Sequence, residues 1–539
     1  MTKRLLIILA LVATVALPFV LRPSRVAVQR ADDRLVIITP HNEAIRHEYA
    51  AGFSRWYRER TGRTVAIDWR VIGGTSEIAR FLEGEYVAAF QNHWTRELRR
   101  PWSNDVLTAF ANARLDPAAP EIAKEARATF LASSVSSGID VFFGGGTYDF
   151  VRQAQAGRIV DSGILQRQPQ WFAADVIPRE YAGEEYWDKE GRWIGAVLSS
   201  YGIIYNKDSL ARLGFTAPPT QWEDLKDPRL VGEVALADPT KSGSIAKAFE
   251  NVIQQQMQRR LVALQAARPD APAAELEREA VREGWMDGMR LVQLIGANAR
   301  YFTDTSQKPP IDVAAGNCAV GMCIDFYGRQ QEEAVRRRSG SEHLGYVSPR
   351  GGTVSSVDPI ALMRGAPNRD VALAFIDYVL SMEGQNLWNF RPGTPGGPER
   401  FALRRLPVRR DFYTPEMAVH RSDPDDNPYA QSEQLIYRAA WTSGVFREMA
   451  FAIRVMCLDS HADLARAWRA IIAAPEADRA RALAVLQNVD RLSYEAINGP
   501  IKRALGARSK VEEIRLASEL GTHFRNQYRE AEAIARGGR

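Results

Sequence analysis

Cysteine is nearly missing from this chain. Three residues in 539, Cys318, Cys323 and Cys457, cannot form a disulfide framework, and none stands in the paired C-x-x-C spacing of a zinc site. Placed on one strand, Cys318 and Cys323 fall on opposite faces because their separation is odd. All three are expected to be small buried hydrophobes. The usual catalytic signatures are absent too: there is no Gly-x-Ser-x-Gly elbow, no Rossmann G-x-G-x-x-G fingerprint and no paired metal motif. A triad assembled from distant positions leaves no such trace, so an enzyme stays open as a rival class. HNEAIRHE (41–48) lacks the HExxH or HxxEH spacing, which assigns His47 and Glu48 to a solvated face. Lys241 has no glycine at the offset that an NTP phosphate loop requires. There is no basic arm: 70 Lys and Arg stand against 65 Asp and Glu for a net charge of +5, and both signs are mixed along the chain, which argues against nucleic acid. No low-complexity run or fixed-period repeat occurs. What remains, 45% hydrophobic and 25% charged residues, is a globular composition on a chain long enough for roughly two to four structural units.

The N-terminus has a secretory pattern. Lys3 and Arg4 precede the apolar run LLIILALVATVALPFVL (5–21), and Arg22, Pro23 and Ser24 open a polar segment, so residues 1–24 are assigned to a signal peptide or an uncleaved membrane anchor. No small-x-small cleavage site and no lipid-accepting cysteine follows, and the run approaches the ~20 residues that span a bilayer. The positive flank keeps the N-terminus in the cytoplasm, so the rest faces the periplasm or exterior.

Strand–turn–helix units dominate the chain behind the leader. ADPTKSGSIAKAFENVI (237–253) carries the clearest turn. Pro239 stops a strand, Gly243 frees the backbone, and Ser242 or Ser244 holds the N-cap position ahead of a helix. Unpaired N–H groups, hydroxyls and the positive dipole end there attract an anion without a formal charge. RLVIITPHNEAI gives a strand over 35–38 and a turn containing His41. TVAIDWRVIGGTSEIARFLEG repeats the plan, with Thr75 or Ser76 as cap and Ile78, Phe81 and Leu82 on one helix face. Two βα units indicate a parallel sheet, whose ligands bind beyond the carboxyl ends of the strands, where His41, Thr75, Ser76 and Glu77 fall. Residues 86–138 read as an insertion. GIDVFFGGG (138–146) ends in Gly144, Gly145 and Gly146, which permit close approach of a ligand or another backbone. Residues 194–198 and 202–205, joined by Ser199-Ser200-Tyr201, read as one strand leaving the first sheet for a second. Helix then runs to about 296, a strand over 319–326, a return crossing over 344–368 and a helix over 371–388. Two lobes with a cleft between them follow, the usual place for a small ligand. Tyr201 and Tyr327 either flank that ligand or fill the core, Asp358 either binds an amine or marks a turn before Pro359, and Trp56, Trp69 and Trp222 read as core. From 401 onward the composition is that of a helical extension.

Four segments carry a resemblance: DVFFGGGTYDFV (140–151), SSYGIIYNKDSL (199–210), PPTQWEDLKDPRLVGEVALADPTKSGS (218–244) and APNRDVALAFIDYVLSMEGQ (366–385). Over roughly 34–413 the chain resembles periplasmic solute-binding proteins of ABC importers, extracellular family 1, in the branch for ferric iron, phosphonates and sugar phosphates. The resemblance implies a type II periplasmic-binding-protein-like α/β fold with two lobes and a hinge. Lobe 1 is assigned to 32–200 and 347–400, lobe 2 to 201–346, and the helical C-terminal extension to 401–539. It further implies a periplasmic monomer, tethered to the inner membrane if the leader stays, that serves an ABC permease without catalysis and without a cofactor. Iron-binding members use a His in the first βα turn, a Glu after the fourth strand and a late Tyr-Tyr pair. His41 and Tyr327 match, but the Glu position falls in 144–146 and the first tyrosine is Phe326, which leaves Asp325 or Glu43 as replacement ligands. The companion-anion turn, Ser242, Gly243 and Ser244, is intact. The expected ligand is therefore anionic. Ferric iron is the alternative, and a secreted or anchored hydrolase or sensor is the alternative of another class.

Overall fold

A computed structural model describes residues 31–430, 434–506 and 510–538 of the chain. The leader over 1–24 lies outside the described residues. Among those described, no helix is long and apolar enough to cross a membrane.

The first sheet holds β1 (Asp33–Ile38), β2 (Val65–Arg70), β3 (Val141–Phe143) and β4 (Ile159–Val160). A small hairpin, β5 (Glu180–Tyr181) and β6 (Glu184–Glu185), precedes β7 (Ile194–Ser199), which rejoins that sheet. The chain then builds a second sheet from β8 (Tyr201–Asn206), β9 (Val234–Ala237), β10 (Ala299–Thr303), β11 (Val320–Ile324) and β12 (Leu344–Val347), and returns to the first through β13 (Ser356–Met363) and β14 (Leu406–Pro407). Strand order is β14-β7-β13-β3-β1-β2, with β4 on β13, in the first sheet and β10-β9-β11-β8-β12 in the second. β1 runs parallel to β2 and β3, as two consecutive βα units dictate, whereas β13 runs antiparallel to β3 and β7. Only Ser200 separates β7 from β8, so the crossing between sheets is a single extended stretch; Asp325 donates its N–H to the Ser200 carbonyl at 3.0 Å. The return crossing is held by Trp222, whose Nε1 donates to the Gly352 carbonyl (2.7 Å), and by Thr353, whose Oγ1 accepts from the Tyr201 N–H (3.0 Å).

Helices follow the apolar spacing, with informative differences. Asn42 caps the helix Glu43–Thr61 by accepting from the Ile45 N–H at 3.1 Å, and that helix buries Ile45, Tyr49 and Phe53, four residues apart, against the first sheet. Glu48 is buried rather than solvated, and its carboxylate accepts the N–H groups of Glu399, Arg400 and Phe401 at 2.7–2.9 Å. The Thr75–Asn92 helix buries Ile78, Leu82, Tyr86 and Phe90 and leaves Phe81 outside. Residues 86–92 are thus the end of that helix, and the rest of the expected insertion packs Phe110 and Phe130 onto Phe90 at 4.8 and 5.4 Å. Cys318 precedes β11 instead of lying on it, and both Cys318 and Cys323 are buried in one apolar cluster. β11 ends at Ile324 because Asp325 opens the helix Asp325–Ser339. The expected helix over 371–388 is two, Arg369–Leu380 and Met382–Asn389, divided at Ser381, which caps the second.

Residues 401–430 contain little helix. They lie on the first sheet through β14, which pairs with β7. The C-terminal helices begin at Ala439. They pack on the long pair Gly243–Ala267 and Ala273–Asn298 behind the second sheet, where Trp285 Nε1 donates to Leu492 O (2.7 Å) and Trp468 Nε1 to Asn298 Oδ1 (2.8 Å). Tyr148 of the first lobe meets Phe446 of the extension with ring centroids 4.6 Å apart.

Candidate functional site

Three helix N-termini meet where the two sheets face one another. Gly74 caps the Thr75 helix, so Thr75 is its first residue rather than its cap, and Gly146 caps the helix Thr147–Ala156. Ser242 caps the Gly243 helix, its Oγ accepting from the Ile245 N–H at 3.4 Å. Glycines set the approach. A Cβ on Gly145 would stand 2.2 Å from Thr75 Oγ1, one on Gly74 2.4 Å from the Lys241 carbonyl, and one on Gly146 4.0 Å from the backbone of Gly243. Gly144 and Gly145 also take φ of 88° and 110°, a region that side chains rarely adopt. The turns of the first lobe therefore touch the Lys241–Ser242–Gly243 turn of the second. Each terminus brings unpaired N–H groups and roughly half a positive charge to one junction, beside the hydroxyls of Thr75, Ser76, Ser242 and Ser244. One acid joins them. Asp149, buried in the first turn of the Thr147 helix, places Oδ2 3.4 Å from where a Cβ on Gly243 would lie. Burial pushes its carboxyl up to about 6, against the pull of Arg152, Arg80 and the Ser76 hydroxyl.

Behind this junction lies a buried polar cluster. His41 lies against Gly144, where a Cβ would stand 2.3 Å from its Cε1, and packs edge-on to Phe143 (4.6 Å) and Trp388 (5.9 Å). Arg405 is fully buried. Its Nη2 donates to Asp358 Oδ2 at 2.7 Å and to Ser199 Oγ, its Nη1 lies 3.2 Å from His41 Nε2, and its guanidinium covers the Phe326 ring at 4.4 Å. Because a guanidinium only donates, His41 Nε2 accepts and the imidazole carries its proton on Nδ1. Nδ1, Trp388 Nε1 and Arg405 Nε are buried without a partner among the described residues. Burial lowers the pKa of His41 and the Arg405 charge lowers it further. Burial pushes Asp358 up, but Arg405 and His41 outweigh it and hold the carboxyl below its ordinary value.

The predicted residues fall into two groups around these features. His41, Thr75, Gly144, Gly145, Gly146, Ser242, Gly243 and Asp358 form one continuous contact path, with Ser76 reaching it through Asp149 and Ser244 half-buried on the first turn of the Gly243 helix. Tyr201, Asp325 and Tyr327 lie on the second sheet's side of Arg405. Tyr201 is buried with its phenol pushed up by burial. Asp325 is fully buried, its carboxylate oxygens have no hydrogen-bond partner among the described residues, and Arg329 Nη2 forms an ion pair with Oδ2 at 3.4 Å. The Tyr327 ring packs on Phe326 at 4.1 Å. Asp358 pairs with Arg405 on β13 instead of marking a free turn. Glu43 is exposed in the first turn of its helix and joins neither group.

Sequence reading missed Arg405, whose FALRRLPVRR context suggested a helical extension. It also missed Lys247, whose Nζ lies 2.6 Å from Glu184 of the hairpin and 2.9 Å from Glu250, under the Tyr437 ring at 3.3 Å. A signal for the second was present. The Gly243 helix buries Lys247, Glu250, Asn251, Gln254 and Gln255, and so many polar residues in an otherwise apolar helix mark a polar interior. Asn251 keeps both amide atoms unpaired among the described residues.

With the geometry in place, comparison with known proteins gives the family. Residues 136–404 match the model of a bacterial extracellular solute-binding protein. An uncharacterized protein of Haemophilus influenzae is 27% identical over 249 residues, which is 46% of this chain and 60% of that protein. The phosphoglycerate transport regulatory protein PgtC of Salmonella typhimurium is 21% identical over 196 residues, 36% of this chain and 40% of that protein. The chain thus spans 60% and 40% of the length of these two curated relatives. Among solved structures, the periplasmic binding protein AfuA of Actinobacillus pleuropneumoniae, with fructose-6-phosphate bound, is 17% identical and covers 81% of this chain and 98% of its own, with a TM-score of 0.47. Through residues 136–404, the chain belongs to the bacterial extracellular solute-binding proteins.

Proposed function

We propose that this protein is the extracytoplasmic substrate-binding component of an ABC importer, which takes a small anion into the cleft between its lobes and hands it to a membrane permease. The observation that carries the reading is the junction of the Thr75, Thr147 and Gly243 helix N-termini, two from one lobe and one from the other, lined by neutral donors. N–H groups and dipole ends from both lobes reward an anion only when the lobes are together, which couples binding to closure. Arg405 adds a fully buried guanidinium behind the junction. The lobes are assigned to 32–200 with 347–430, because β14 pairs with β7, and to 201–346, with the helices from Ala439 onward as the extension. Phosphoglycerate in the name of the Salmonella relative supports a phosphate-bearing ligand. Family membership sets the protein outside the cytoplasm, and an uncleaved 1–24 segment would tether it to the inner membrane. The protein acts by stoichiometric binding, without turnover.

One observation favours an anion over ferric iron as cargo. The Arg405 guanidinium stands 3.2 Å from His41 Nε2, the nitrogen that a metal would claim. Calorimetry with inorganic phosphate, phosphomonoesters, phosphonates and ferric citrate tests the choice. Ser244→Ala removes a neutral donor from a buried anion and is expected to weaken binding ~10- to 150-fold, far more than Tyr327→Phe. A coloured ferric complex that Tyr327→Phe abolishes and Ser244→Ala leaves intact would overturn the reading. Release of product from a phosphomonoester would move the protein to the hydrolases.

A further inference from the structure

Ser200 and the return crossing give two passages between the lobes, and beyond residue 430 the chain makes a third. Its residues 434–438 lead from the first lobe to the helices that pack on the second. On the first lobe's side the Tyr437 N–H donates to the Ala182 carbonyl at 2.9 Å and the Leu435 N–H to the Thr353 carbonyl at 3.1 Å. Leu435, Tyr437, Val354 and Ala182 form a small apolar cluster there, beside the return crossing. On the second lobe's side the Gln254 amide holds Arg438 twice, Oε1 accepting from its N–H at 2.9 Å and Nε2 donating to its carbonyl at 3.0 Å, while the Tyr437 hydroxyl donates to Glu250 at 3.1 Å. The passage is fastened to both lobes at once.

The helices behind this passage reach back to the first lobe. Phe446 opens the helix Phe446–Ile453, which packs on the Gly243 helix and so belongs mechanically to the second lobe. Its ring nevertheless lies on Tyr148 of the first lobe, with centroids 4.6 Å apart and planes 35° from parallel. Tyr148 is the second residue of the Thr147 helix, whose N-terminus faces Gly243, so this contact stands beside the junction and not at the hinge. Glu448 of the same extension helix is within electrostatic reach of Arg152, one turn along the Thr147 helix. We infer that the C-terminal extension is a latch, fastened to both lobes by 434–438 at the hinge, which holds the cleft shut by packing Phe446 on Tyr148 beside the junction. Position gives the two contacts different roles: groups at a hinge hardly separate when lobes swing apart, whereas groups far from it separate most. Opening breaks the ring contact and uncovers Phe446, which is 7% exposed. The closed form is therefore favoured by the chain itself, and entry and release of solute wait on unlatching. This goes beyond the solute-binding reading and holds whatever the solute is.

The test uses the full chain, dialysed and without added solute. The three native cysteines are buried, so spin labels on Glu85→Cys and Arg338→Cys, exposed positions on the two lobes, report their separation. Hydrogen exchange of residues 242–246, the second lobe's share of the junction, reports rare openings. Wild type is expected to show one short distance and slow exchange at 242–246. Tyr148→Ser, which leaves the core of the extension intact, and Phe446→Ala should each speed that exchange ~2- to 12-fold, the range that one aromatic pair supports. The double variant should be no faster than the quicker single one, because both remove the same contact. Phe446→Tyr, which keeps the ring, should stay slow. Exchange in β1 and β11 should not change in Tyr148→Ser, which separates unlatching from general loosening. A wild type that is mainly open, or unchanged exchange at 242–246 in Tyr148→Ser, overturns the inference. Absence of phosphate binding in calorimetry strikes the anion reading alone and leaves the latch standing.

Discussion

Replacing Lys247 by methionine removes the only cation, among the described residues, in direct contact with the buried carboxylates of Glu184 and Glu250. In the native chain Nζ lies 2.6 Å from Glu184 and 2.9 Å from Glu250, and the Tyr437 ring covers it at 3.3 Å. Burial alone would lower the lysine pKa, but the two carboxylates outweigh it and hold it well above its ordinary value. Burial raises Glu184 above the usual carboxylate range despite the lysine. Lys247→Met fills the methylene space and leaves both acids unpaired, a change expected to cost ~3–5 kcal/mol. Tyr437, whose hydroxyl donates to Glu250 at 3.1 Å, leads into the C-terminal extension, so the loss reaches three parts of the molecule. The signs differ between the two forms. A lysine with a raised folded pKa stabilises fully below its unfolded value near 10.5 and loses that contribution as pH rises through the folded value, so the native chain should weaken only in alkali. In the variant Glu184, freed of its cation, is raised further, and stability should recover as pH falls toward the ordinary carboxylate range. Urea denaturation at pH 5 and pH 8 measures the variant's cost and its recovery. A cost under ~1 kcal/mol, equal at the two pH values, would refute the reasoning, because exposed pairs behave that way.

The remaining predictions concern the junction itself. Asp149→Asn should stabilise the unliganded protein at pH 8 by roughly 3 kcal/mol, from a folded carboxyl near 6 against 3.8 in its ordinary state. A carboxyl with a raised folded pKa destabilises above that value, so the gain should fade as pH falls from 6 to 4, as denaturant midpoints at both ends will show. Gly145→Ala places a Cβ 2.2 Å from Thr75 Oγ1 at φ 110°, and should cost ~1–3 kcal/mol from backbone strain alone; its phosphate affinity by calorimetry should fall with it.

Much of the scaffold could be read from sequence because the scaffold is local chemistry. The βα units at His41 and Gly73-Gly74, the glycine run after β3 and the Ser242 cap each follow from a handful of neighbouring residues. Ser199-Ser200-Tyr201 marked the passage between sheets because the apolar run continues through it. Long-range partners were out of reach. Arg405 is written beside Arg404 and Arg409 in what looks like a charged helix, and only the pairing of β14 with β7 carries it to Asp358 and His41. Glu48 looked solvated because its three partners lie some 350 positions later. Asp149 stood in plain view in TYDFV, but a first-turn acid gives no sign of burial until the second lobe closes over it. The β11 end was misplaced by two residues because Asp325 and Phe326 suit a strand continuation as well as a helix start, and Asp325 is the first residue of the helix that runs to Ser339.

The central claim is that an anion binds at the meeting point of three helix N-termini, and locating one there tests it most directly. Crystals of the full chain soaked in tungstate, a phosphate analogue with a strong anomalous signal, and separately in ferric citrate would give the position of each. The account predicts a tungstate peak within hydrogen-bonding distance of Ser242, Ser244, Thr75 and the 144–146 loop, with Asp149 beside it. An iron peak on His41 and Tyr327, with no tungstate at the junction, would contradict it.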